Sequence, residues 1–147
     1  MRAIVTLARF IAWLGLTAVG VLHAVWAAGS AWPAKTRKQL AQATVGSNQN
    51  PDAQATAVVA VTAIAGGAVA AGALGESALP VAGRRIAGLV LVARSALGGD
   101  AALSVLGLPK ANKRFVELDN QYYRPLCAVL GVALLIGARK PRKSRMA

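Results

Sequence analysis

Few side chains in this sequence can do chemistry, and those that can sit in apolar surroundings. They are His23 and Trp26, then Arg94 with Gly98, Gly99 and Asp100, then Asp119 with Tyr123 and Cys127. An arginine inside the run LVLVARSALGGD, residues 89 to 100, is costly in lipid, roughly 2.5 to 3.5 kcal/mol on insertion scales, so Arg94 has to face protein and find an acceptor. Asp100 and Asp119 are the candidate acceptors. Asp100 lies about 120° further round a continuous helix, so pairing with it requires the glycine pair to bend the chain. Asp119, arriving from the next connection, has no such restriction. His23, Trp26, Arg94, Asp100, Asp119 and Tyr123 therefore form the candidate binding cluster. Its ionic groups either pin two helices together, as buried ion pairs often do, or line an outward-facing pocket for an anionic or amphiphilic ligand.

The remaining chemistry is excluded by type and number. One histidine and one cysteine make neither a typical metal site nor an internal disulfide. No catalytic residue is assigned, because His23 and Cys127 belong to different segments with no group to orient them as a nucleophile and base. The glycines lack the strand-to-helix context of a phosphate loop or dinucleotide fingerprint, so no cofactor is expected. Tyr122 and Tyr123 read most simply as interfacial anchors.

The elements that must position these residues follow from hydropathy. Of 147 residues 56% are hydrophobic and 15% charged, with a mean hydropathy of +0.51, more apolar than a water-soluble domain of this size can bury. No charged residue occurs between Arg9 and Lys35 or between Asp52 and Glu76. Each gap is long enough to cross a hydrocarbon core about 30 Å thick. The run from Arg85 to Lys110 is interrupted by Arg94 and Asp100, and a fourth run follows Arg124. The expected fold is all-α: a single membrane domain, an integral four-helix bundle with helices near 4–31, 53–74, 80–107 and 122–138 and a basic tail over 139–147. The first segment is longer than the apolar core of a signal peptide and is read as an uncleaved anchor. Small-residue rows, Gly20, Ala24 and Ala28 in the first segment and Ala63, Gly67 and Ala71 in the second, are the expected close-packing faces. Residues 34–52 and 111–121 read as polar connections.

The formal net charge of +12 does not point to nucleic acid, because the basic residues lie at segment ends and no aromatic-studded basic module accompanies them. Positive-inside reasoning puts the N-terminus, Arg84 with Arg85, and the tail Arg139-Lys140-Pro141-Arg142-Lys143-Ser144-Arg145 on the cytoplasmic side. His23, Arg94, Asp100, Asp119 and Tyr123 then share the outer half. The tail reads first as a plain stop-transfer flank and alternatively as a contact for anionic lipid, each basic group then contributing on the order of 1 kcal/mol near the surface.

Residues 115 to 131, Phe115-Val-Glu-Leu-Asp119-Asn-Gln-Tyr-Tyr123-Arg-Pro125-Leu-Cys127-Ala-Val-Leu-Gly131, resemble the signature of the domain-of-unknown-function 3995 family of small bacterial four-helix membrane proteins. In that pattern a phenylalanine and a Leu-Asp pair precede Tyr-x-Pro-Leu-Cys and a glycine-containing helix. Arg94 followed by Gly99-Asp100 and the exit Trp32-Pro33 fit it too, while Arg124 stands where serine is usual. The resemblance implies architecture and a bacterial cytoplasmic membrane location, and confers no activity. The expected role is a non-enzymatic accessory or structural membrane component, as a homo-oligomer or within a larger complex. The alternative is a membrane-embedded binding or transporter-like protein, or an enzyme, built on the polar cluster around Arg94 and His23.

Overall fold

The computed structural model describes residues 2–49 and 51–139. The charge-free runs become its longest helices. Helix α1 spans Arg2–Ala27, 26 residues, and α3 spans Ala53–Ala71, 19 residues; both are long and apolar enough to cross a membrane. Helix α4, Ala78–Leu97, continues after a break at Gly98 into α5, Gly99–Val105, at 114° to it, and this bent pair provides a third candidate span. Short helices occupy two connections, α2 over Arg37–Thr44 and α6 over Lys113–Leu118. A π-helical turn, Asp119–Tyr123, joins α6 to α7, Arg124–Gly137. No strand occurs among the described residues.

Several expected boundaries move, each for a local reason. The first segment stops at Ala27 rather than residue 31, where the chain turns at Gly29 with φ 99° and Trp26 Nε1 donates to the Trp32 carbonyl at 2.6 Å. The second stops at Ala71 rather than 74, because left-handed Gly72 returns its N–H to the last turn and Ala73 N–H reaches the Ala68 carbonyl, a glycine-terminated helix end. The segment over 80–107 could run past Gly98 and Gly99 or break there, and it breaks, since Gly98 adopts φ 85°, a conformation that ends the α-helical ladder and that only glycine takes freely. The connection over 34–52 contains α2, whose start is capped by the Thr36 hydroxyl accepting from Gln39 N–H at 3.2 Å. The connection over 111–121 is largely helical, so the fourth segment begins well before residue 122. The basic tail from Lys140 onward lies outside the described residues.

Helices pack in the order α3–α1–α7–α4, with α3 and α4 also touching near their connection. Glycines set how closely. A Cβ placed on Gly88 would fall 2.9 Å from the Gly131 carbonyl oxygen, and one on Gly131 would fall 2.9 Å from the Gly88 carbonyl oxygen, so α4 and α7 meet backbone to backbone. Gly20 against Ala60, and Gly67 against Thr17 and the Trp13 carbonyl, do the same for α1 and α3. The buried face of α1 is Val5, Ala8, Ala12 and Gly20, whereas Ala24 and Ala28 are exposed; on α3 it is Thr56, Ala60, Gly67 and Ala70, and Ala71 is exposed. Of the expected rows only Gly20 and Gly67 are buried contacts. Ala8, Ala12, Ala70, Ala133 and Leu134 form the central cluster. Large apolar side chains point outward instead, among them Ile4, Leu7, Phe10 and Leu14 on α1, Val58 and Val61 on α3, and Leu89 and Val90 on α4. Arg84 and Asp119 are buried. Apolar outside and ionic within is the arrangement of a protein solvated by lipid.

Candidate functional site

Proline determines where the site forms. Pro125 has no N–H for the Gln121 carbonyl and its ring crowds that oxygen, so the helical ladder shifts register just before it. Arg124 N–H accordingly donates to the Asp119 carbonyl, one residue further back than in an α-helix. The resulting π turn carries Asp119 toward the end of α4. There Gly98 bends the chain and presents Gly99 N–H, which donates to Asp119 Oδ2 at 2.6 Å, while Arg94 Nη2 donates to Asp119 Oδ1 at 2.5 Å. The Asp119 side chain is 5% exposed and that of Arg94 21%. Both carboxylate oxygens are thus engaged by a cation and an amide. Arg94 Nη1 is buried without a hydrogen-bond partner among the described residues.

Other groups close the same end of the molecule. Arg124 reaches back to the C-terminus of α4, donating from Nε to the Ser95 carbonyl at 2.7 Å, from Nη2 to the Ala96 carbonyl at 2.9 Å, and from Nη1 to Asn120 Oδ1 at 2.9 Å. A cation there satisfies orphan carbonyls and opposes the negative pole of the helix. Asp100 does not pair with Arg94; its Oδ1 accepts Ala111 N–H at 3.0 Å and holds the loop after α5. Tyr123 donates from its hydroxyl to the Ala43 carbonyl of α2 at 3.0 Å, and its ring lies 6.1 Å from that of Phe115. Asn112 caps α6 through Phe115 N–H and donates from Nδ2 to the Gln42 carbonyl. The short helices α2 and α6 are therefore docked on the cluster by polar contacts.

His23 and Trp26 stand apart. His23 Nδ1 donates to the Val19 carbonyl at 2.8 Å, one turn back on its own helix, since a carbonyl can only accept. Its ring stacks obliquely on Trp26, with centroids 4.8 Å apart. Among the described residues no hydrogen bond or ion pair joins either to Arg94, Asp100, Asp119 or Tyr123. Of the six sequence candidates, the structure directly pairs Arg94 with Asp119, attaches Tyr123 through Phe115 and the π turn, and leaves Asp100, His23 and Trp26 in separate local contacts. Cys127 is a half-buried free thiol. No group of three metal-ligating side chains occurs among the described residues.

A second polar cluster, at the opposite end of the helices, has Arg84 at its centre. Arg84 is 1% exposed and donates to three carbonyls, from Nε to Val69 at 2.8 Å, from Nη2 to Gly75 at 3.0 Å and from Nη1 to Gly137 at 3.3 Å. It also holds Glu76 with both terminal nitrogens, Nη2 lying 2.9 Å from Oε1 and Nη1 3.1 Å from Oε2. Arg9 completes the cluster, donating from Nε to the Gly137 carbonyl at 2.9 Å and from Nη2 to Glu76 Oε2 at 2.8 Å. Val69 and Gly137 lie at the C-terminal ends of α3 and α7, so two arginines cap two helices and tie them to α1 and α4. Hydrogen bonding from Arg84 above all, with Arg9 beside it, holds the Glu76 carboxyl below its ordinary value. Sequence reasoning placed Arg84 at the cytoplasmic face as a topology signal and missed it as the buried centre of a cluster. The available signal was Glu76, the lone acid between Asp52 and Asp100, set among arginines.

Two to three membrane-length helices, packed through glycine contacts and joined at both ends by arginine clusters, define a small helical protein consistent with membrane residence. The chain belongs to the family described as protein of unknown function (DUF3995), whose model matches residues 16–134 and so covers the glycine contacts and the Arg94–Asp119 pair. No curated protein and no solved structure matches it.

Proposed function

We propose that this protein is an integral four-helix bundle of the bacterial cytoplasmic membrane, with both termini cytoplasmic, that acts as a non-enzymatic accessory or structural component of a larger membrane assembly. The fourth crossing in this reading is α7 with the π turn before it, about 28 Å long at about 1.5 Å per residue, close to the thickness of a hydrocarbon core. The cytoplasmic end in this reading carries Arg2, Arg9, Arg84 and Arg85, the arrangement expected of residues retained inside. The observation that carries the functional reading is the occupancy of the buried ionic groups. Both Asp119 oxygens are held, by Arg94 and by Gly99 N–H, Arg124 is engaged with helix-end carbonyls, and Arg84 is enclosed by acceptors. Groups satisfied by one another hold helices; groups that turn over a substrate must have a face left open.

One observation favours a second reading, a binding protein with an outward-facing polar site. Among the described residues Arg94 Nη1 is a buried donor without an acceptor, and an anionic or carbonyl-bearing ligand would satisfy it. Mass spectrometry of the full chain isolated from membranes in mild detergent separates the two. A membrane polypeptide retained at fixed stoichiometry supports the accessory role. A small anion retained by the wild-type chain and lost from Arg94→Leu supports the binding role and contradicts the accessory one.

A further inference from the structure

Beside the C-terminal end of α3, helix α1 carries a small pocket of about 290 Å³, lined by Thr6, Arg9, Phe10 and Trp13 of α1 and by Ala71 of α3. Sequence spacing makes it. At about 100° per residue the four α1 side chains and Arg2 fall within about 100° of arc, so they form one stripe along the helix. Charge lies at one end of the stripe and aromatic surface at the other. Arg2 is exposed on the first turn, and one turn later the Thr6 hydroxyl donates to the Arg2 carbonyl at 3.1 Å, its oxygen remaining able to accept. Phe10 and Trp13 are exposed, with ring centroids 5.7 Å apart. Arg9 stands between the two ends and uses only two of its three nitrogens. Nε holds the Gly137 carbonyl and Nη2 holds Glu76, while Nη1 has no hydrogen-bond partner among the described residues. A Cβ built on Gly72 would lie 4.0 Å from Nη1, which places that nitrogen on the Ala71 side of the pocket. Glu76 is shared by Arg9 and Arg84, so two guanidiniums meet one carboxylate and a positive charge is left over.

A guanidinium with a spare nitrogen, a hydroxyl and an aromatic wall together recognise an oxyanion carried on an apolar chain. The volume sits at the lower end of ligand cavities, about 300 Å³, and suits a headgroup rather than a whole amphiphile. We propose that this pocket binds the phosphate of an anionic phospholipid, with Arg9 Nη1 donating to a phosphate oxygen, Arg2 facing the outer part of the headgroup, and the acyl chains lying over Phe10 and Trp13. The proposal rests on the membrane reading above, in which Trp13 lies deeper than Arg2, by about 16 Å at about 1.5 Å per residue. Selectivity comes from net charge. A zwitterionic headgroup offers the same phosphate but brings its ammonium against Arg2 as a like charge, so the basic groups of the stripe give an anionic headgroup at least about a fivefold preference.

The test reads Trp13 fluorescence in the full chain carrying Trp26→Phe and Trp32→Phe, which leaves the pocket's indole alone of the three tryptophans. This parent chain is reconstituted in phosphatidylcholine vesicles with rising fractions of phosphatidylglycerol whose acyl chains are brominated, and the quenching gives the relative affinity of the two lipids at the pocket. Phosphatidylglycerol is expected to be preferred at least about fivefold. Arg9→Gln should bring the preference to near parity. So should Ala71→Leu and Thr6→Leu, which fill the pocket from exposed positions and leave the Arg9 contacts in place. Near parity in the parent chain, or a preference undiminished in folded Arg9→Gln or in both filling variants, overturns the proposal. So does relief of quenching by inorganic phosphate alone, since a soluble anion would then be the occupant. Recovery of the folded chain from cells in detergent-free buffer overturns instead the membrane reading beneath it.

Discussion

Removing the Asp119 carboxylate is the sharpest perturbation of the Arg94–Asp119 cluster. In Asp119→Ala the Arg94 guanidinium, whose side chain is 21% exposed, keeps its charge and loses its counter-ion, and buried Gly99 N–H loses its acceptor. Breaking a buried pair from one side costs about 3 to 5 kcal/mol, and an orphaned buried N–H about 1 to 3 kcal/mol. The two costs overlap, and the residual exposure of Arg94 lets polar surroundings recover part of the first, so about 3 to 5 kcal/mol in total is expected. Replacing both members, Arg94→Leu with Asp119→Leu, removes the unpaired charge and leaves only Gly99 N–H unsatisfied, so the double variant should lose about 1 to 3 kcal/mol and be more stable than Asp119→Ala. The assay is reversible unfolding of the detergent-solubilised chain by denaturing detergent, followed by helical circular dichroism. An Asp119→Ala loss below about 1 kcal/mol, or a double variant as unstable as the two single losses added, would refute the reasoning that this pair serves to hold α4 to α7.

Arg84→Leu should be at least as damaging, at about 3 to 5 kcal/mol in the same unfolding assay, because it orphans the Val69 and Gly75 carbonyls and leaves Glu76 and the Gly137 carbonyl to Arg9 alone, and Arg84→Lys should recover only part of the loss since an ammonium cannot reproduce the fork. Gly88→Ala drives a methyl against the Gly131 carbonyl and should cost about 1 to 3 kcal/mol, whereas Gly83→Ala, on the same helix with nothing within 4 Å, should stay within about 0.5 kcal/mol of wild type. The lowered Glu76 pKa gives a defined pH response. With the folded value below the ordinary 4.5, the stability due to this carboxylate is complete above pH 4.5 and is lost as pH falls through the depressed folded value. The melting temperature of Glu76→Gln should fall less than that of wild type as pH is lowered from above 4.5; equal falls in the two would contradict the assignment.

What the sequence discloses and what it conceals divide along physical lines. The charge-free gaps after Arg9 and Asp52 disclose α1 and α3 because the cost of charge in lipid is a local property of composition. Arg94 and Asp119 were legible as partners because a lone arginine in an apolar run demands an acceptor, and geometry disfavoured Asp100 on an unbroken helix. The bend at Gly98 was one of two open alternatives, decided by a tertiary contact: Asp119 rewards the exposed Gly99 N–H. Arg84 was concealed because a buried keystone and a solvated topology signal look the same in sequence, and only the docking of the α3 and α7 carboxyl ends distinguishes them. His23 and Trp26 were grouped with Arg94, Asp100 and Asp119 by expected depth alone, and depth along a helix says nothing about which way a side chain faces. The helix in the connection over 34–52 depends on a Thr36 cap and on polar contacts with Asn112 and Tyr123, none visible from a turn-rich composition.

The account depends on helices that cross lipid with both chain ends on one side and the Arg94–Asp119 pair toward the other. Single cysteines placed at Arg2, Ser47, Lys110 and Arg139 in a Cys127→Ala background, probed in intact cells with a membrane-impermeant thiol reagent, measure this directly. Labelling at Ser47 and Lys110, with Arg2 and Arg139 labelled only after the membrane is opened, is the predicted result. Labelling of Arg2 and Arg139 from opposite sides would contradict it.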